Sequence, residues 1–497
     1  MDKRDDTDQS GAEARPRRKA KPVAEIAPVL APVAEPALVA EPTPAERPAR
    51  APKPPRAPRP PRQHRAERAE RSVIPAPKNA RPEPGPANPR AGALALIAAV
   101  RGGATLSEAA GLLDQLTPAE RARAQRLAAE TLRHLGRVEA TLDPLLQRRP
   151  RPEVMDILAL GTTEMLALDE APHGVVNAAV ALARAGSPKV AAASGMVNAV
   201  LRRAADAKGA WAAAAPSTMP GWLRGPVAAA WGEDKALAIE AAHERGAPID
   251  LSGKPGADLP GEALPTGSHR LPQGVQVTAQ PRYDAGDWWV QDAAAALPVM
   301  LLDPRPREHV ADLCAAPGGK TMQIAAAGAT VTAIDLSAAR LDRVRENLAR
   351  TGLNATLVMG DALNWRPDAP LDAVLLDAPC SATGTIRRHP ELPLLRDGGG
   401  IAELTALQAA LIDHGLSLLK PGGRLIYAVC SLLPAEGEDQ LAAALARHPG
   451  LRVERPDLPG IEPAWITDAG GLRLRPDHWP GQGGMDGFFI ARLVRDA

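Results

Sequence analysis

Two of the three cysteines in this 497-residue chain stand in closely similar settings. Cys380 lies in LLDAPCSATG, Leu375 to Gly384, and Cys430 in YAVCSLLPAEGE, Tyr427 to Glu438, each after an apolar run and directly before a serine. A lone cysteine in an alanine-rich protein is ordinarily a small buried hydrophobe. A pair repeated at the ends of apolar segments, with Asp377 beside one of them, suits nucleophilic chemistry instead, provided the surroundings lower the thiol pKa. Carbon 5 of a pyrimidine is a poor nucleophile, and a thiolate added to carbon 6 turns the ring into an enamine able to attack the methyl group of a sulfonium. A base then removes the proton from carbon 5 and the thiol leaves by elimination, so that one hard step becomes several easier ones. A carboxyl group near ring nitrogen 3 stabilises such an adduct, and Asp377 has the type and place for it.

The segments ahead of these cysteines describe a methyl donor. In ADLCAAPGGKT, Ala311 to Thr321, an apolar strand runs into Gly318 and Gly319 and then a helix. Glycine lets backbone approach a ligand closely, and the helix N-terminus offers free amides. The motif is neither the GxGxxG dinucleotide fingerprint nor a Walker loop, which disfavours a nucleoside triphosphate. TVTAIDL then ends in Asp335, placed to accept hydrogen bonds from both ribose hydroxyls of an adenosine, and LVMGDA puts Asp361 where the adenine amine would be met. A glycine loop followed by two acids at successive strand ends makes an adenosine pocket with no demand for phosphate, the logic of S-adenosylmethionine binding.

These loops need a particular scaffold. Over residues 287–497 short apolar strands (HVADLCA, TVTAIDL, ATLVMGD, DAVLLDAP, RLIYAVCS and FFIARLV) alternate with helices expected from about Lys320, Ala338, Ala402 and Glu436. The alternation predicts an α/β fold, a doubly wound and mostly parallel sheet with helices on both faces and ligands at the carboxyl ends of the strands. Every motif above falls at such an end. Residues 89–210 change to Ala/Leu-rich helical periodicity, with Thr117 as an N-cap ahead of Pro118, and predict an all-α bundle of five to seven helices. Residues 211–286, which include SGKPGADLPGEALPTG, read as a connecting subdomain of short strands and turns. Residues 1–88 cycle through Pro, Ala, Arg and Glu with no apolar period and are expected to form a disordered, extended tail. Its arginine-rich part, Arg47 to Arg71, would suit loose contact with RNA phosphates but reads first as a solvated linker, and no chemistry is assigned to it.

Composition bounds the rest. The 59 Lys and Arg against 58 Asp and Glu give a net charge of +1, which excludes polyelectrolyte behaviour as the main theme. Three cysteines are too few, and odd in number, for a disulfide-built secreted chain, so a reducing cytoplasm is expected. The N-terminus lacks the apolar core of a signal peptide and no stretch is long and apolar enough to span a membrane. The histidines are scattered and the cysteines already have roles, so no metal site is expected.

GMVNAVLRR, Gly195 to Arg203, and the ERARAQRLAAETLRHLGRVEATLDPLL stretch resemble the NusB-like RNA-binding fold, with Arg121, Arg123, Arg126, Arg133, Arg137, Arg148, Arg149, Arg202 and Arg203 as candidates for a phosphate-binding face. From about Trp288 to Val494, and together with that helical domain, the chain is similar to the bacterial RsmB/Sun (NOL1/NOP2/Sun) family of RNA cytosine-5 methyltransferases through WWVQDAAA, DLCAAPGGKT, DAPCSATGTIRRHPE and YAVCSLLPAEGE. The resemblance implies a Rossmann-like class I methyltransferase domain behind an all-α NusB-like domain. It implies Cys430 as the nucleophile and Cys380 as the cysteine that assists release of the methylated RNA. It further implies a donor site at Cys314, Ala315, Ala316, Pro317, Gly318, Gly319 and Lys320 with Asp335, Asp361 and Asp377, Lys320 and Asp377 also facing the reacting region. The chain departs from the family at Ala428-Val429-Cys430-Ser431, where Ser/Thr-Thr-Cys-Ser is commoner, and at Pro248 to Gly256, where Leu-Arg-Val-Asn often stands.

The expectation is therefore a cytoplasmic, monomeric methyltransferase using S-adenosylmethionine on RNA, 16S ribosomal RNA first. Transfer RNA is the second choice and a non-catalytic ribosome-assembly factor the rival of another class. Two Phe, two Tyr and eight Trp leave little for base stacking, so RNA affinity should rest on Arg contacts to phosphates and fall steeply as salt rises. Affinity that stays constant from low to moderately high salt in a filter-binding titration would contradict this.

Overall fold

The computed structural model describes residues 86–496; of the tail expected over residues 1–88, all but the last three residues lie outside them. Asn88 opens the first helix, Pro89–Arg101, by accepting from the amides of Arg90 and Ala91 at 3.1 and 3.0 Å. Thr117 starts the next, Pro118–Arg133, with a reciprocal capping box to Glu120 that satisfies two otherwise orphaned amides. Helices Leu135–Leu142, Pro152–Leu166, Pro172–Ala185, Pro188–Ala191 and Ser194–Ala205 complete the bundle predicted from periodicity. Its centre is a close approach: a Cβ on Gly161 would stand 2.9 Å from Leu201 Cδ1, so glycine lets helices 152–166 and 194–205 pack side by side over Leu158.

Two of the candidate phosphate ligands do other work. Arg133 is 8% exposed and donates through Nη1 to the carbonyls of His243 and Arg387, which ties the bundle to the catalytic half. Arg137 donates to Glu244 at 2.7 Å and to the Trp211 carbonyl. A buried guanidinium is tolerated only when so paired; Arg133 is buried and Arg137 is only partly exposed. Arg126, Arg148 and Arg202 are exposed.

The connecting region differs from the sequence expectation. It begins with two helices, Gly221–Trp231 and Glu233–Arg245, before its strands. Gly225 and Pro226 conceal the first, yet Leu223 and Val227, four residues apart, are both fully buried. A small antiparallel sheet follows: β1 (Asp250–Gly253), β2 (Glu262–Ala263), β3 (His269–Arg270) and β4 (Trp288–Val290), in the order β2-β3-β1-β4. Buried Asp250 pairs bidentately with Arg270 at 2.6 and 2.7 Å and also accepts from the Ala293 amide, which fixes this sheet to the helix Ala293–Leu302.

The catalytic sheet contains β5 (His309–Leu313), β6 (Thr330–Asp335), β7 (Thr356–Met359), β8 (Leu371–Asp377), β9 (Leu419–Val429), β10 (Leu451–Glu454), β11 (Leu472–Leu474) and β12 (Phe488–Arg495). The path runs β10-β12-β9-β8-β5-β6-β7, with β11 also on β12. β9, β8, β5, β6 and β7 are mutually parallel, and β12 runs antiparallel to both β9 and β10. Helices cover both faces, so the central strands read as unbroken apolar runs. Val374, Leu376, Leu425 and Tyr427 fill one face, while Leu375, Ile426 and Ala428 fill the other. Each fully buried Leu or Ile contributes about 1.5–3 kcal/mol relative to exposure. Sequence order reverses between β5 and β8, the switch point at which such sheets open a crevice.

Candidate active site

β8 and β9 are parallel neighbours with Asp377 opposite Ala428. The chain therefore leaves both strands at one edge of the crevice, and Cys380 Sγ lies 3.5 Å from Cys430 Sγ, both thiols free and half-buried. The Gly384 amide donates to the Cys430 carbonyl at 3.0 Å, joining the two loops directly. The contact with Cys430, then burial, then the negative charge of Cys430 and Glu436 push the Cys380 thiol well above its ordinary range. These surroundings favour the protonated form of the Cys380 thiol.

Lys320 Nζ stands 2.6 Å from Asp377 Oδ2 and 5.4 Å from the centroid of the Phe488 ring. Burial opposes its charge, but Asp377, Cys430 and Asp312 outweigh burial and hold the ammonium above the usual lysine range. A fixed cation therefore faces the thiols.

The donor side is built by the loop after β5. Cys314 and Gly318 take the left-handed conformation, with φ of 65° and 100°, and turn the chain into the helix Gly319–Ala326. Burial first, then the nearby Asp377, Asp335 and Asp312, push the Cys314 thiol up to about 12, so it is a packing residue and not a nucleophile. Asp335, 3% exposed, accepts from the amides of Ala316 at 3.2 Å and Ser337 at 3.0 Å. Arg340 donates to the Ala316 carbonyl and Asn347 to that of Pro317, so the helix Ala338–Thr351 holds the loop at two points. Asp361 is exposed and folds back on the Leu363 amide and the Asn364 side chain at 2.9 Å each.

A cavity of about 650 Å³ joins these parts. Cys314, Ala315, Ala316, Pro317, Gly319, Lys320, Asp377, Cys380 and Cys430 all line it. Gly318 shapes the loop from behind, where a Cβ would stand 3.0 Å from Val344. Asp335 and Asp361 stand outside the lining, at the ends of β6 and after β7, beside Leu336 and Met359, which are 73% and 65% exposed. Another cavity of about 640 Å³, beside β3 and including Arg245, Arg270 and Gln482, holds no nucleophile.

Comparison with known proteins gives the family. The profile of the family described as 16S rRNA methyltransferase RsmB/F matches residues 299–494, and that of the NusB family matches residues 87–206. Proteins named ribosomal RNA small subunit methyltransferase B are 35% identical in Pseudomonas syringae pv. tomato and 36% identical in Pseudomonas putida. Each match covers 82% of this chain and 97% or 99% of the relative. The chain belongs to the RsmB/F methyltransferase family. The crystal structure of PH0851, 23% identical, superposes with a TM-score of 0.59 over 82% of this chain and 98% of its own, a likeness of fold.

Several residues of this RsmB/F site escape a motif reading. Thr105 and Ser107 of the helical domain line the cavity, and the Leu106 amide donates to Glu391 at 3.3 Å across 285 positions. Arg388 lines it as well and is held at 2.6 Å by Asp486, which is fully buried. Thr105 and Ser107 left no signal, whereas Arg388 and Glu391 stand at the end of DAPCSATGTIRRHPE and Asp312 is an acid inside an otherwise apolar strand. Among the described residues no cluster of His, Cys, Asp or Glu could hold a metal ion, and no helix is long and apolar enough to cross a membrane.

Asp312 is fully buried, accepts from Thr321 Oγ1 at 2.5 Å through Oδ2, and leaves Oδ1 without a partner. Burial raises its pKa to about 7 against the opposing Thr321 hydrogen bond and Lys320 charge. An unfolded aspartate titrates near 3.9. The folded chain therefore holds this proton more tightly, and the group's contribution to stability declines as pH rises from about 4 to about 7, by a few kcal/mol. Asp312→Asn should remove that decline, so thermal unfolding across this range should favour the variant progressively as pH rises. A difference from wild type that is constant with pH would refute the assignment.

Proposed function

We propose that the protein is an S-adenosylmethionine-dependent RNA (cytosine-5)-methyltransferase acting on 16S ribosomal RNA through a Cys430 adduct at cytosine carbon 6. The observation that carries this reading is the placement of Cys430 and Cys380 3.5 Å apart, in one cavity with the Lys320–Asp377 pair. Transfer of a methyl group to nitrogen or oxygen needs no covalent thiol, and a binding factor needs neither thiol. The relatives' names support a ribosomal substrate.

The residues present fit the methyl donor. The amides at the start of helix Gly319–Ala326 and the unpartnered Oδ1 of Asp312 offer polar contacts to its methionine end. Asp335 and Asp361 offer carboxylates for ribose and adenine, and the exposed side chains of Leu336 and Met359 offer an apolar surface beside them. When bound, S-adenosylmethionine supplies an electrophilic methyl group on a sulfonium.

The chain's own residues make carbon 5 able to accept it. Cys430, as thiolate, forms the bond to carbon 6, and the ring electron pair displaced by that addition makes carbon 5 nucleophilic. Asp377 stands by ring nitrogen 3, where a shared proton stabilises the charge that develops there, with Lys320 fixing the carboxylate. After carbon 5 loses its proton, the electron pair of that C–H bond restores the ring double bond and expels the Cys430 sulfur. Cys380, kept protonated, is the thiol positioned to assist this release.

Bisulfite sequencing of RNA from cells with and without the gene tests the reading. One protected cytosine in 16S ribosomal RNA should disappear with the gene and return with wild type but not with Cys430→Ala. An unchanged cytosine pattern would overturn the reading.

A further inference from the structure

Glu436 is an acid that the reaction does not use, yet it is fully buried in the short turn Pro434–Glu436 after β9. Its carboxylate joins the two cysteine loops through Oε2, and Oε1 adds a second bond to the Cys380 loop. Oε1 accepts from the Ser381 amide at 2.8 Å and from Gln408 Nε2 at 3.1 Å. Oε2 accepts from Ser381 Oγ and from Ser431 Oγ, both at 2.5 Å. Ser381 directly follows Cys380 and Ser431 directly follows Cys430. Thr383 adds a second tie, with Oγ1 at 3.1 Å from Ser381 Oγ and 3.3 Å from Ser431 Oγ while accepting from the Leu432 amide. The Tyr427 hydroxyl donates to the carbonyl of Glu436 and anchors the turn to β9.

Burying a carboxylate is costly unless hydrogen bonds replace its water. Here the replacement comes from the residues next to the two thiols, so the group is stable only while both loops hold their places. Hydrogen bonds to an ionised acceptor are about twice as strong as neutral ones. Gln408, from the helix Ile401–Ser417, fills the remaining acceptor site and also donates to the Pro379 carbonyl, just before Cys380. Two thiols that must serve neighbouring carbons of one ring, one to add and one to assist release, need a fixed separation. Strand pairing ends at Asp377 and Val429, short of both cysteines, so it does not supply that separation alone.

We propose that Glu436 is a positioning residue that sets the spacing of Cys380 and Cys430 and thereby couples adduct formation to release. This rests on the thiol-adduct reading above. Each serine is one arm of the clamp, and the two arms have different consequences. Loss of the Ser381 arm frees the release thiol, and loss of the Ser431 arm frees the nucleophile.

The test uses the full chain with 16S ribosomal RNA and S-adenosylmethionine, measuring methyl transfer, protein–RNA complex that survives denaturing electrophoresis, and thermal unfolding. Ser381→Ala should slow turnover about tenfold or more and accumulate the complex, as Cys380→Ala should, because misplacement of about 1 Å costs up to about 100-fold. Ser431→Ala should slow turnover without accumulation, and Glu436→Gln should show the lower turnover whichever arm it weakens more. KM for the methyl donor should not change in any of them. The clamp is overturned if Cys380→Ala accumulates complex while both serine variants partition between complex and product as wild type does, whatever their unfolding temperatures. If Cys380→Ala and wild type yield no complex while wild type methylates the RNA, the adduct reading itself fails and the clamp's role with it.

Discussion

The parallel pairing of β8 with β9, with Asp377 opposite Ala428, is the constraint on which the site depends. Parallel neighbours lie about 4.8 Å apart, so side chains a few residues beyond two such ends can touch. That is how positions 50 residues apart in sequence bring their sulfurs to 3.5 Å. A slip of one residue in either strand would turn its side chains to the opposite face. The slip is resisted on both faces at once, because Val374 and Leu376 are buried on one side and Leu375 on the other. The packing that stabilises the sheet therefore also brings the two cysteine loops together.

Electrostatics then divides the labour among groups of like type. Three acids, Asp312, Asp335 and Asp377, surround the loop after β5, and each would disfavour a neighbouring anion. Lys320 offsets them from the centre by pairing with Asp377 beneath the thiols. The three thiols are separated by the same means. Cys314, shut in by burial and acids, stays inert, Cys380 is kept protonated by its contact with Cys430, and Cys430 remains as the candidate nucleophile. In an RsmB/F methyltransferase the surroundings, rather than the residue type, assign the role.

The sheet was legible because strand ends and chemical motifs coincide. Apolar runs such as DAVLLDAP and RLIYAVCS could be placed as buried strands, and the helices begin within two residues of Lys320, Ala338, Ala402 and Glu436. The helix Gly221–Trp231 was not legible, since Gly225 and Pro226 break the periodic signal that Leu223 and Val227 carry, whereas Glu233–Arg245 has no such break and was masked only by the Gly/Pro-rich stretch that follows it. Cys380, Cys430, Asp377 and Lys320 could be proposed from motifs and do converge. Arg388, Glu391 and Glu436 stand inside DAPCSATGTIRRHPE and YAVCSLLPAEGE, but their parts, like that of Arg133, were not legible because they lie in partners brought together only by folding. Arg133 reaches a carbonyl 254 positions away and Leu106 reaches Glu391 across 285. Arg133 also shows how a basic periodic helix misleads: the residue read as a phosphate ligand is buried as a tie between domains.

The central claim, that this geometry makes Cys430 the attacking group, is tested most directly by trapping the adduct. RNA carrying 5-fluorocytosine has no proton on carbon 5 for a base to remove, so methylation should stop at the covalent stage. Digestion and mass spectrometry of the trapped complex should locate the nucleotide, carrying both fluorine and a methyl group, on the peptide containing Cys430. A nucleotide attached at Cys380, or methylated RNA released without any attachment, would contradict the account.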